Sequence, residues 1–257
     1  MHDPDRYRPT ERFGDRVDDY RRYRPGYPPA LTDWLIREAG LVAGDAVADI
    51  GAGTGLLTRD LLAAGLRVQV IEPNAAMRAA ADAELGAIPG YTSADGTAEV
   101  TGLAPASVRL LTAAQAFHWF VPDQARAEAQ RVLAPGGMAA LIWNVRRIEG
   151  AFALAYEALL MSHCPDYAAG QPHQASTGEI GTFFGDALPR TASFAYLQRF
   201  DHEGLKGRLL SSSYTPKVGD PAREPLLAAL RVLFDAHQRD GRVAFEYDCR
   251  AWIAAMA

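Results

Sequence analysis

Residues 48–60 read ADIGAGTGLLTRD: a short apolar run, an aspartate, three glycines on alternate positions and a stretch with helical spacing. A glycine-rich turn between a strand and a helix lets backbone N–H groups approach a nucleotide closely. The dinucleotide fingerprint places a third glycine three residues after the second, which here falls on Leu56 instead. Asp49, two residues before Gly51, adds a carboxylate where a pyrophosphate would be repelled and an ammonium or sulfonium attracted. The turn Asp49, Gly51, Ala52, Gly53, Gly55 therefore suits a nucleoside with a cationic tail better than NAD.

Further polar residues recur at the ends of apolar runs. Glu72-Pro73 closes VQVIEP, where a carboxylate accepts both hydroxyls of a ribose, and Met77 on the following helix is placed to cover one face of a base. Asp95-Gly96-Thr97 follows YTSA, in reach of the exocyclic amine of an adenine. Gln115-Ala116-Phe117-His118-Trp119-Phe120 follows SVRLLTA. There His118 is a candidate general base or a group that orients a substrate oxygen, and Trp119 a pocket wall. The bland alternative has the aromatics walling the pocket while His118 holds a backbone group.

These residues need a scaffold that brings strand ends together. Strands are expected at 46–50, 68–71, 91–94, 107–113 and 138–143, with helices at 30–39, 54–64, from Asn74 and at 122–133. Strands separated by helices pair in parallel through right-handed crossovers, so residues 40–145 read as a doubly wound α/β sheet. Its ligand lies at the carboxyl ends of the strands. Beyond Asn144 the pattern weakens. Helices are expected at 152–161, 205–213 and around Leu226–Phe234, strands near 192–200 and 243–247, and loop over 164–190.

At this point the motifs resemble a known family. DIGAGTG at 49–55, Glu72, Asp95-Gly96 and LAPGG at 133–137 are similar, in order and spacing, to the class I S-adenosylmethionine-dependent methyltransferases. FG at 13–14, Tyr20, RPGYP at 24–28 and QAFHWF at 115–120 resemble more narrowly the type 11 and trans-aconitate methyltransferase-like small-molecule enzymes. The resemblance implies a seven-stranded, mostly parallel Rossmann-like sheet with an antiparallel last strand, helices on both faces, an N-terminal arm and a C-terminal cap. It implies an arm over residues 1–30 that folds over the cofactor, a binding core over 31–145, and a segment 146–257 that completes the same domain. By the same resemblance the glycines meet the methionine part, Glu72 the ribose, Asp95 and Gly96 the adenine, and Gln115 and Ala116 the other face of the nucleoside. In the arm, Tyr20, Tyr23 and Arg24 are then candidates to touch cofactor or substrate, Arg24 by a forked pair with the cofactor carboxylate. Arg146, just past the fifth strand, is a candidate for an acidic substrate, with a solvated arginine as its alternative.

The implied cofactor is S-adenosyl-L-methionine, with S-adenosyl-L-homocysteine as product. The implied reaction is in-line methyl transfer to a small acceptor, whether carboxylate, hydroxyl, amine or carbon. A carboxylate is already ionised at neutral pH and needs no base; the other acceptors would use His118 or an arm tyrosine such as Tyr20. The rivals are another reaction of the same cofactor (cyclisation, elimination or a pericyclic step), a nicotinamide enzyme, and a protein that binds the nucleoside without turnover. Bulk properties agree with a small-molecule enzyme. The net charge of -5 argues against a binder relying on a broad positive field, and the arginines of the first 24 residues are interleaved with acids. Neither a membrane span nor a secretory leader is expected, and the two cysteines suggest no disulfide framework. His163, Cys164 and His173 match no zinc spacing, so no metal is expected. A cytoplasmic monomer or homodimer without nucleic-acid or membrane partners is the expectation.

Overall fold

A computed structural model describes residues 22–169, 176–212 and 214–256. Seven strands form one sheet: β1 Ala46–Ile50, β2 Arg67–Ile71, β3 Tyr91–Ala94, β4 Val108–Ala114, β5 Leu133–Arg146, β6 Arg190–Phe200 and β7 Val243–Ala255. Their order is β3-β2-β1-β4-β5-β7-β6, and β7 runs antiparallel to both of its neighbours. This is the mostly parallel, doubly wound sheet that the motifs implied. The strand order reverses at β1 and β4, which pair directly, and the crevice outside their carboxyl ends is the switch point where such sheets take ligands.

Helices α1 Pro29–Ala39, α2 Leu56–Ala63 and α3 Ala75–Leu85 bury Leu31, Leu35, Leu57, Leu61 and Leu85 with Val47, Val68 and Leu110 of the sheet. Helices α4 Pro122–Val132 and α7 Thr177–Phe184 place Ala125, Ala129 and Phe183 with Ala48, Leu111 and Leu141 in a separate cluster. The central strands are thus buried on both faces, as parallel strands must be.

Departures from the expected elements have local causes. Helix α2 starts at Leu56 rather than Thr54, because Gly53 and Gly55 hold φ of 59° and 81° and keep the turn open. The stretch expected as loop over 164–190 contains α6 Pro165–Ala169 and α7. The start of α7 carries a capping box: Ser176 accepts from the Glu179 N–H while Glu179 reaches back to the Ser176 N–H. Strand β7 continues eight residues past the expected end at Tyr247, since 243, 245, 247, 249, 251 and 253 keep the buried face of a period-two pattern through Asp248 and Arg250. Those odd positions serve two surroundings. Cys249, Ala251 and Ile253 join the α1 side of the core, whereas Val243, Phe245 and Tyr247 join a cap cluster. That cap is built from α5 Gly150–His163, α6, α8 His202–Leu210 and α9 Arg223–His237.

Among the described residues no helix is long and apolar enough to cross a membrane, and no group of three or more His, Cys, Asp or Glu side chains could hold a metal. Cys164 and Cys249 are free and buried, and His173 lies outside the described residues.

Candidate active site

The crevice between β1 and β4 gathers most of the predicted residues. Gly51 leaves β1 with φ of 63° and donates its N–H to Ile71 O at 2.8 Å. A Cβ at this position would lie 2.7 Å from Ala116 Cβ, so the backbone after β1 and the backbone after β4 approach as only glycine allows. Gln115 itself has φ of 58°, unusual for a residue with a side chain, and is held by N–H to Ile142 O and Nε2 to Asn144 O. Phe117 is the anchor of the short 3₁₀ turn 117–119: it packs edge-on against Phe120, Trp143 and Phe183. With Phe117 in the core, His118 and Trp119 stay half-buried, Trp119 against the same cluster.

Glu72 is the second fixed point. It is 6% exposed, and its two oxygens accept from Gly53 N–H at 2.8 Å and Asn74 N–H at 2.9 Å. Asn74 then caps α3 by accepting from Ala76 and Met77 N–H, which fixes the direction of the chain after Glu72. Each carboxylate oxygen keeps a further lone pair, so a pair of adjacent hydroxyls fits beside the glycine turn. Burial pushes the Glu72 carboxyl upward, opposed by those two backbone bonds and the Arg78 charge. Met77, 3% exposed, is buried at the start of α3. Asp95 lies past β3 with its side chain 75% exposed and 3.4 Å from Arg78, while Gly96 packs so tightly that a Cβ would meet Ile71 at 2.9 Å. Thr97 completes that loop, donating its N–H to Val100 O and accepting from Val100 N–H. Ala52 and Pro73 flank the two fixed points, both half-buried.

Asp49 has a structural place at the turn. It lies beneath the turn, 1% exposed, with its oxygens accepting from Thr58 Oγ1 at 2.6 Å and Thr112 Oγ1 at 2.8 Å. Thr112 is its register partner on β4 and Thr58 sits one turn into α2, so the carboxylate ties strand, helix and neighbouring strand together. Desolvation raises its pKa from 3.8 to about 6, against the two threonine bonds that lower it. A carboxyl whose folded pKa lies above its unfolded value stabilises the fold when protonated, and that contribution is lost as pH rises through the folded pKa. We therefore expect the Tm of wild type to fall between pH 4 and pH 7, with about 3 kcal/mol at stake for Asp49. In Asp49→Asn this part of the slope disappears; calorimetric scans across that range check it, and an unchanged slope in the variant would refute the assignment.

The arm and cap residues are placed differently from the expectation. Arg24 is bonded to the cap: its Nη2 donates to Ser211 O at 3.0 Å, just past the last turn of α8. Tyr23 lies on the same helix, its ring against Gly207. Gly26 is joined to the end of β5 by Asn144 Nδ2, which donates to its carbonyl at 3.0 Å. Arg146 is paired internally, donating from Nη2 to Glu157 at 2.5 Å beneath the rings of Tyr156 and Phe245. Tyr20, Phe13 and Gly14 lie outside the described residues. Sequence reading missed Thr58, Thr112 and Asn144, because a lone hydroxyl or amide in an apolar stretch carries no signal until its partner is known.

The glycine turn against Ala116, together with the paired lone pairs of Glu72, fits the adenosyl ligand implied above. The family model described as a methyltransferase domain matches residues 48–141. Over 134 residues the chain is 42% identical to an uncharacterized methyltransferase of Mycobacterium tuberculosis (strain H37Rv), covering 52% of each chain. It is 34% identical over 134 residues to one from Schizosaccharomyces pombe, covering 52% of this chain and 53% of that one. The chain spans about half the length of the curated relatives it matches. Among solved structures, a protein of Anaeromyxobacter dehalogenans assigned as a type II methyltransferase superposes with a TM-score of 0.67 at 25% identity, covering 91% of this chain and 98% of that one. A geranyl diphosphate C-methyltransferase from Streptomyces coelicolor, solved with S-adenosyl-L-homocysteine, has the same fold (TM-score 0.50, 17% identity, 89% and 79% covered). Residues 48–141 thus carry the match to a methyltransferase domain, and the fold is similar to that of the class I S-adenosylmethionine-dependent methyltransferases.

Proposed function

We propose that this protein transfers a methyl group from S-adenosyl-L-methionine to a small-molecule acceptor by in-line displacement. The observation that carries this reading is the Gly51–Ala116 approach beside a Glu72 carboxylate whose orientation two backbone N–H groups fix. When bound, the cofactor supplies an electrophilic methyl on a sulfonium centre. The residues of the chain then have three tasks: to hold the nucleoside, to aim the methyl at the acceptor and to keep water out. Glu72 holds the ribose, the Asp95–Thr97 loop lies along the adenine edge, and Gln115 and Ala116 cover the opposite face. Asp49 contributes a buried negative charge under the turn that favours a cationic ligand through the backbone rather than by contact.

His118 and Trp119, in the turn just past β4, are the acceptor-side groups of this reading. His118 takes a proton only if the acceptor is a hydroxyl, amine or carbon acid; a carboxylate acceptor needs none. The narrower resemblance to trans-aconitate methyltransferase-like enzymes supports a small acceptor in solution. The test is titration of the purified chain with S-adenosyl-L-homocysteine and with NAD, followed by mass spectrometry of reactions run over an acceptor panel. Saturable binding of the thioether, no heat with NAD and a product heavier by one methylene are expected. Binding without any such product across the panel, or release of products other than S-adenosyl-L-homocysteine, would replace methyl transfer by one of its rivals.

A further inference from the structure

Arg208 is a charge without an opposite charge. It projects from α8, part-buried, and its partners are neutral: Nε donates to Tyr247 Oη at 3.4 Å and Nη1 to Ser212 Oγ at 3.2 Å. Among the described residues no carboxylate comes within ion-pair distance of it. Tyr247 also packs against the rings of Tyr196 and Phe245, so Arg208 meets an aromatic part of the cap. Taking a guanidinium out of water beside neutral groups is unfavourable, and replacing such charges by apolar side chains commonly stabilises a fold. A group kept at that cost is expected to meet its counter-charge from outside.

The neighbourhood extends this. Arg146 stacks on the Tyr156 ring with its guanidinium carbon 5.0 Å from the centroid and is the register partner of Tyr247, whose hydroxyl Arg208 reaches. Arg146 spends Nη2 on Glu157, whose other oxygen accepts from Tyr167 Oη at 2.7 Å, so the charge of Glu157 is already answered. Arg146 Nη1 is buried with no hydrogen-bond partner. One unanswered guanidinium and one open donor therefore face the same set of tyrosines. Register puts them beyond the cofactor crevice: Ile142 lies level with Ala114 at the end of β4, and Arg146, paired with Tyr247, is four residues farther. That is roughly 13 Å of strand. The end of the arm covers the same place, with Tyr23 on Gly207 and Arg24 on Ser211.

We propose that Arg208, with the open donor of Arg146 and the hydroxyl of Tyr247, is the subsite for an anionic group of the acceptor, a carboxylate or a phosphate. The inference rests on the methyl-transfer reading for the word acceptor, but the anion site itself does not depend on turnover. It also explains how a chain of net charge -5 would hold an acidic ligand: the attraction is local, from α8 and the end of β5.

Scanning calorimetry of the full chain tests it, with sodium succinate and sodium phosphate as probes against sodium chloride at matched ionic strength. Wild type is expected to gain about 4 °C in Tm when the bound anion stands near ten times its Kd. Succinate alone acting assigns a carboxylate, and phosphate alone a phosphate. In Arg208→Met the gain disappears while the probe-free Tm stays level or rises. Arg208→Lys keeps charge without the fork, and a smaller gain is expected. No response beyond chloride in wild type overturns the proposal, as does an equal response in wild type and both variants. Should Arg208→Met fail to fold, Arg208→Lys decides: a gain as large as that of wild type overturns the proposal. Titration with S-adenosyl-L-homocysteine is run alongside. Its absence in wild type would sink methyl transfer, whereas its persistence in Arg208→Met with no anion effect anywhere would sink the subsite alone.

Discussion

Glu72→Ala is expected to weaken S-adenosyl-L-homocysteine binding by about 100-fold, because hydrogen bonds to a charged acceptor contribute about 1.5–3 kcal/mol each and two ribose hydroxyls lose theirs. The same change releases Gly53 and Asn74 N–H, which now orient the carboxylate at 2.8 and 2.9 Å. The glycine turn therefore loses a support as well as a ligand contact. Glu72→Gln separates the two effects. It preserves shape and one acceptor but turns an NH₂ toward a backbone donor or a ribose hydroxyl, so an intermediate loss of about 10-fold is expected. Titration calorimetry measures both, with circular dichroism as the control for folding. An affinity within threefold of wild type in a folded Glu72→Ala chain would remove the basis of the cofactor assignment.

Gly51→Ala should act on fold and ligand together. The position has φ of 63°, which costs an alanine about 1–2 kcal/mol, and the new Cβ would stand 2.7 Å from Ala116 Cβ, inside contact distance. Overpacking of that kind typically adds about 1–3 kcal/mol, so a fall in Tm of about 5–15 °C is expected, with ligand binding lost because the β1 and β4 loops are pushed apart. The double variant Gly51→Ala with Ala116→Gly removes the clash but not the backbone strain. It should recover part of the Tm and most of the affinity, giving a coupling energy of about 1–3 kcal/mol between the two sites. Additive effects in that cycle would show that the approach of the two loops is not what limits the site.

The sheet was legible because its signals are local and repeated. Apolar runs of five residues, Gly40 and Gly65 as stops and Asn74 as a cap each specify an element from within a few residues of chain. The site was legible in part for a related reason: Gly51, Glu72, Asp95 and Gln115 all fall at strand ends, and in an open α/β sheet strand ends are where ligands lie. The capping box at Ser176–Glu179 was equally local, but the apolar content that should accompany it, Ile180, Phe183 and Phe184, sits in a stretch rich in glycine and proline that reads as loop.

What the sequence determines by itself is therefore the order of elements, the identity of the turn after β1 and the family that turn resembles. Tertiary structure alone decides the partners. That Asp49 is sealed under the turn by Thr58 and Thr112, that Arg24 turns to the end of α8, and that Arg146 answers Glu157 while Arg208 meets no carboxylate among the described residues, are facts about which chain segments meet. A carboxylate or guanidinium has the same letter whether it faces solvent, a hydroxyl or an opposite charge. Its energy depends on dielectric surroundings and on neighbours tens of residues away in the chain, and those are set only when the core closes.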